Sequence, residues 1–129
     1  MSDGFNGRGI RRVLVVDDEK HIVRLIQANL ERAGYEVDTA TTVAQALTRM
    51  QERRPDLLIT DIAVPEVSDG LALLAHVWRD PATTDLPVIV LAERGKQEQV
   101  TKAYQAGADM CLTKPFNPAE LIQLAKGFR

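Results

Sequence analysis

The stretch RVLVVD, residues 12–17, decides how the rest of the chain is read. It is a short aliphatic, β-branched run without alternation that ends on a carboxylate, the pattern of a strand buried on both faces. Strands of that kind lie in parallel sheets covered by helices, so a segment of helical period should follow. Ile22, Leu25, Ile26, Leu30 and Ala33 supply it at spacings of three and four, and Gly34 stands where a helix stops. Tyr35, Val37 and Thr39 then alternate with Glu36 and Asp38 as in a half-exposed edge strand. Val43, Ala46, Leu47 and Met50 set a second helix, which Pro55 ends. LLIT, residues 57–60, again runs into a carboxylate, Asp61, ahead of a loop with Pro65 and Gly70 and a helix carrying Leu71, Leu74, Val77 and Trp78. Pro87 opens a fourth run, VIVLA, and a weaker helix over 96–105 packs through Val100, Ala103 and Tyr104 before Gly107. A short strand over 110–113 follows, and Pro118 begins a last helix with Leu121, Ile122, Ala125 and Phe128 on its stripe.

Five strand–helix units with short connections predict an α/β protein, a single-domain flavodoxin-like (βα)5 three-layer sandwich. Its five-stranded parallel sheet should have the order 2-1-3-4-5, with right-handed crossovers. In that order the chain leaves the first and third strands toward opposite faces, and a crevice opens above their carboxyl ends. Residues 10–129 form this domain, and the polar, glycine-rich MSDGFNGRG at 1–9 reads as a flexible arm. Its Gly4, Gly7 and Gly9 do not make a phosphate-cradling loop, because no strand precedes them.

Composition narrows the function. Sixteen Lys and Arg against 18 Asp and Glu leave a net charge of -2, which gives no electrostatic footprint for nucleic acid. No apolar run is long enough to span a bilayer and no signal peptide is recognisable, so a cytoplasmic protein without membrane contact is expected. The single cysteine, Cys111, excludes an internal disulfide and a cysteine-based zinc site.

Three polar features end apolar strands: Asp17 and Asp18 after the first, Asp61 after the third, and Lys114-Pro115 after the fifth. Taken singly, Asp18 and Glu19 suit the first turn of a helix, Asp61 a loop cap and Lys114 the surface. The predicted topology makes them converge. Carboxylates brought that close repel unless a cation lies between them, and a few oxygen ligands suit Mg²⁺. A carboxylate beside a divalent cation and a lysine is an environment for accepting a phosphoryl group.

The blocks VLVVDDE, DLLITDIAVP, LPVIVLA and GADMCLTKPF, with PAELI after them, resemble the receiver domain of two-component response regulators from about Arg11 onward. The resemblance implies that Asp61 is the phosphoacceptor, fed by a histidine kinase, a histidine phosphotransfer protein or a small phosphodonor. It implies Mg²⁺ on Asp17, Asp18, Asp61 and the backbone carbonyl of Ala63, and phosphoryl contact by Lys114 through a cis Lys114-Pro115 bond. It also implies a regulatory domain, rather than an enzyme, that assists its own phosphorylation and dephosphorylation. Similar proteins form homodimers through the fourth helix, fifth strand and last helix. Arg129 falls where a receiver's last helix ends, as in a stand-alone regulator or at a domain boundary.

Two positions depart from the pattern. Receivers end the fourth strand with Thr or Ser, where this chain has Ala92, and carry a switch aromatic on the fifth strand, where this chain has Cys111. The loop after Asp61 also holds one extra residue between Pro65 and Gly70. The alternative reading is therefore a phosphorylation-independent interaction module. A flavin-binding protein is disfavoured, since DDEKH after the first strand would repel a phosphate, as is an aspartyl hydrolase, whose nucleophile would follow the first strand. Cys111 reads as a small core residue, and His21 and His76 as solvated.

Overall fold

The computed structural model describes residues 10–62 and 70–128. The elements run β1 (Arg12–Val16), α1 (Lys20–Arg32), β2 (Glu36–Ala40), α2 (Val43–Glu52), β3 (Leu57–Asp61), α3 (Gly70–Arg79), β4 (Val88–Glu93), α4 (Gln97–Gln105), β5 (Met110–Lys114) and α5 (Pro118–Lys126). All pairings are parallel and the order is β2-β1-β3-β4-β5, as the alternation predicts. The expected arm at 1–9 and the loop with Pro65 lie outside the described residues.

Successive side chains on a strand point to opposite faces, and this alternation builds two apolar layers. Val13, Val15, Leu57, Ile59, Ile89 and Leu91 meet Ile26 and Leu30 of α1 and Leu121 and Ala125 of α5. Leu14, Val16, Leu58, Val88 and Val90 meet Val43 and Ala46 of α2, Leu73, Leu74 and Val77 of α3, and Ala103 of α4. The central strands are covered on both sides, whereas β2 keeps the half-exposed pattern that its alternating sequence requires. Each fully buried Val, Leu or Ile contributes about 1.5–3 kcal/mol, so these layers set the stability of the sheet.

Side-chain caps start two of the helices, the second at the expected Pro118. The Thr42 side chain accepts the Gln45 N–H at 3.1 Å, and Asn117 accepts the Ala119 N–H at 2.9 Å ahead of Pro118. Among the described residues no helix is long and apolar enough to cross a membrane.

The turn from α4 to β5 is closed by Trp78, whose indole N–H donates to the Ala106 carbonyl at 2.5 Å. Gly107 there has φ +103°, and a Cβ would come within 2.7 Å of the indole nitrogen. Gly34, with φ +102°, has open space around the same position. Gly107→Ala should therefore cost about 2–4 kcal/mol of unfolding free energy, backbone strain plus overpacking. Gly34→Ala, with backbone strain alone, should cost about 1–2 kcal/mol. Urea unfolding of the two variants checks the difference.

Candidate functional site

The strand register brings the polar ends together. Val16 pairs with Thr60, so Asp17, one residue past β1, lies beside Asp61 at the end of β3. Lys114 ends β5, two strands from β3, a gap of roughly 10 Å that a four-carbon stem can cross. Its ammonium sits 2.8 Å from Asp17 Oδ2, 2.9 Å from Glu19 Oε1 and 3.2 Å from Asp61 Oδ2. The Lys114-Pro115 bond is cis.

Carboxylate oxygens of Asp17, Glu19 and Asp61 lie within 4.8 Å of one another. Asp17 is held by its own backbone, whose N–H donates to the Ala40 carbonyl at 3.1 Å. Its Oδ1 accepts the Glu19 N–H at 2.9 Å. Its Oδ2 is sealed from solvent and makes no hydrogen bond, having only the ion pair with Lys114. Burial raises the Asp17 pKa from 3.8 to about 6, and the charge of Asp61 adds to this, against the opposing pull of Lys114 and the Glu19 N–H. Lys114 also pays for its burial, but the short contacts to Asp17 and Glu19 hold its ammonium above the usual lysine range. Those contacts in turn hold Glu19 below its ordinary value of 4.5.

Among the described residues, three carboxylates gather around one ammonium. A buried oxygen without a hydrogen-bond donor, within such a group, fits a hard divalent cation with oxygen ligands.

The sequence-predicted residues divide as follows. Asp17, Asp61 and Lys114 meet. Asp18 is exposed and does not join the carboxylate group, whose third corner is Glu19. Asp17 turns inward at the sheet end, its neighbour Asp18 faces solvent, and the longer Glu19 side chain returns from the start of α1. Glu19 is the N-cap residue of α1, but its side chain makes no cap hydrogen bond and goes to Lys114 instead. The adjacency of Glu19 to the Asp pair is the only hint of this in the sequence. Ala63 lies outside the described residues.

Ala92 is fully buried in the layer beneath α2, α3 and α4. Cys111 is half-buried against that layer rather than sealed within it, and burial pushes its thiol pKa up, away from thiolate reactivity. Its N–H, on the edge strand, donates to the hydroxyl of the exposed Tyr104 at 3.1 Å. His21 and His76 are both exposed.

Residues 13–126 match the family model described as the response regulator receiver domain. The chain is 38% identical over 116 residues to the phosphate regulon transcriptional regulatory protein PhoB of Pseudomonas aeruginosa, covering 90% of this chain and 50% of that protein. It is 40% identical over 115 residues to PhoB of Rhizobium meliloti, covering 89% and 50%. The chain thus spans about half the length of these curated relatives. Among solved structures, the receiver domain of NtrX from Brucella abortus superposes with a TM-score of 0.82 at 35% identity, over 88% of this chain and 93% of that one. The chemotaxis response regulator CheY4 of Vibrio cholerae superposes with a TM-score of 0.82 at 32% identity, over 89% and 95%.

The raised Asp17 pKa has a measurable consequence for folding. A carboxyl whose folded pKa exceeds its unfolded value binds its proton more tightly in the fold, so its ionisation costs stability as pH rises from about 4 to about 6. Asp17→Asn keeps the Oδ1 acceptor and removes that cost. Its stability relative to wild type should climb across this window and level off above it, at on the order of 1–3 kcal/mol in the metal-free protein. Urea unfolding in a pH series checks this.

Proposed function

The chain belongs to the family of response regulator receiver domains, and we propose that its Asp61 accepts a phosphoryl group from the phosphohistidine of a histidine kinase or histidine phosphotransfer protein. Receiver domains of response regulators are phosphorylated by histidine kinases, and the observation that supports the specific residue is the Lys114 ammonium 3.2 Å from the Asp61 carboxylate. Asp61 ends a central strand, buried beside Asp17 and Lys114, at the end of the sheet where open parallel sheets bind ligands.

In the proposed step one Asp61 oxygen attacks phosphorus in line. The P–N bond breaks with its electron pair passing to the imidazole nitrogen, and a P–O bond to Asp61 forms. Lys114 donates to a phosphoryl oxygen, offsetting charge that would otherwise build up beside the buried Asp17. Asp17 and Asp61 would hold Mg²⁺, with Asp18 and the Ala63 carbonyl as the further oxygens that the family pattern names. When bound, Mg²⁺ supplies positive charge to the phosphoryl oxygens during transfer. The same access lets water attack the aspartyl phosphate, so this regulatory domain also assists its own dephosphorylation. The face of α4, β5 and α5, which carries the exposed Tyr104, would be the surface for a second copy of the chain if it dimerises as similar proteins do. The setting proposed for all of this is the cytoplasm.

A second reading, a module that works without phosphorylation, is favoured by Ala92. A methyl group cannot donate to a phosphoryl oxygen, which forgoes a charge-assisted hydrogen bond worth about 1.5–3 kcal/mol. Cys111 offers no aromatic ring to follow such a movement. On the leading reading the same absence makes the readout atypical: Asp61 is phosphorylated while α4 and β5 respond weakly.

Incubation with acetyl phosphate and Mg²⁺ should add one phosphoryl mass to the intact protein. The gain should be lost in Asp61→Asn and with a chelator. Amide shifts of the phosphorylated form should change around residues 17, 61 and 114 and little along α4. No mass gain, even from a phosphohistidine donor, would turn the assignment to the second reading.

A further inference from the structure

We infer that Glu19 is a specificity-determining residue of this site, an internal anion that occupies on Lys114 the position a donor's phosphoryl oxygen must take. The inference rests on the phosphoacceptor reading of Asp61 and adds a discrimination among donors by their charge.

A lysine ammonium has three protons to donate. Here it donates to Glu19 Oε1 at 2.9 Å and to Asp61 Oδ2 at 3.2 Å and lies 2.8 Å from Asp17 Oδ2, so three carboxylate oxygens already crowd around it. A phosphoryl oxygen that bonds Lys114 must displace one of them. Asp17 is a poor candidate, because its side chain is 0% exposed and its release would strand a sealed charge. Asp61 stays close, because it is the atom group being phosphorylated. Glu19 is 47% exposed on its side chain and can be rehydrated at small cost. The exchange therefore runs through Glu19.

The backbone of Glu19 is pinned where this exchange needs it. Its N–H donates to Asp17 Oδ1 at 2.9 Å, and its carbonyl accepts the N–H groups of Ile22 and Val23 at 3.0 and 3.1 Å. Since the side chain caps nothing in α1, its bond to Lys114 is the one described side-chain hydrogen bond that swinging out would break. Until it swings out, a carboxylate stands at the mouth of the site with the exposed Asp18 beside it. A free donor with a doubly charged phosphoryl group meets this repulsion fully, a less charged donor meets less, and a donor held by protein contacts can offset it with docking energy.

The test compares rates of phosphoryl gain for wild type and Glu19→Gln, which keeps the side chain's shape, with Asp61→Asn as the blank. Acetyl phosphate serves as the doubly charged donor and phosphoramidate as the less charged one, each with Mg²⁺ at low and high salt. Glu19→Gln should react about three- to tenfold faster with acetyl phosphate at low salt, gain less with phosphoramidate, and lose much of the difference at high salt. Wild type unmodified by either donor would overturn the phosphoacceptor reading itself. Wild type modified at Asp61 but matched by Glu19→Gln with both donors would overturn the role of Glu19 alone. A slower Glu19→Gln would also overturn it, marking the carboxylate as an aid to cation binding.

Discussion

One ammonium group lets three carboxylates share the carboxyl edge of the sheet. Without Lys114 the oxygens of Asp17, Glu19 and Asp61, within 4.8 Å of one another, would repel with nothing between them. Even with it the Asp17 pKa stays raised, chiefly by burial and in smaller part by the charge of Asp61. The site is thus a local cost that the rest of the fold offsets. The two apolar layers do so, through strands whose faces both lie against helices. A parallel sheet suits this arrangement, because all its strands end on the same side and each can place a polar residue there without opening the core.

The excess of carboxylates suits the site to a cation, and among the described residues few side chains link it to α4. β4 lies between β3 and β5, and its Ala92, with a buried methyl in place of a hydroxyl, has no side-chain donor to offer. Besides the packing of Ala103, three hydrogen bonds lie around α4. Gln99 Oε1 accepts the Glu93 N–H at 2.9 Å, the Arg94 N–H donates to the Lys114 carbonyl at 3.1 Å, and the Tyr104 hydroxyl accepts the Cys111 N–H at 3.1 Å. The first ties α4 to the end of β4, the second ties the turn after β4 to β5 and the third ties α4 to β5, and none of them carries a donor into the carboxylate cluster. On the proposed reading, acceptance of a phosphoryl group and its transmission would rest on different residues.

Much of this was legible before any coordinates. Continuous apolar runs such as 57–60 mark strands buried on both faces, and the three-and-four spacing of Ile22, Ile26 and Leu30 marks the stripe of α1, because both patterns are set by the local geometry of the backbone. Asp17, Asp61 and Lys114 were recognisable for a related reason: each ends an apolar strand, and strand ends of a parallel sheet fall on one side. Cys111 was read as a core residue but lies half-buried on the edge strand, since the lone β5 neighbour, β4, covers only one of its sides.

The sequence by itself determined the class of fold, the strand order and the three strand ends that carry the chemistry, since periodicity and chain connectivity leave few other ways to bury those runs. Only the tertiary structure decided which carboxylates surround Lys114. Asp18 and Glu19 are adjacent acids that look alike as first-turn residues of a helix. The inward turn of Asp17, its bond from the Glu19 N–H and the reach of one more methylene send Glu19 to the lysine and leave Asp18 in solvent. A contact between residues 19 and 114 depends on the register of strands distant in sequence, and local pattern holds no record of that.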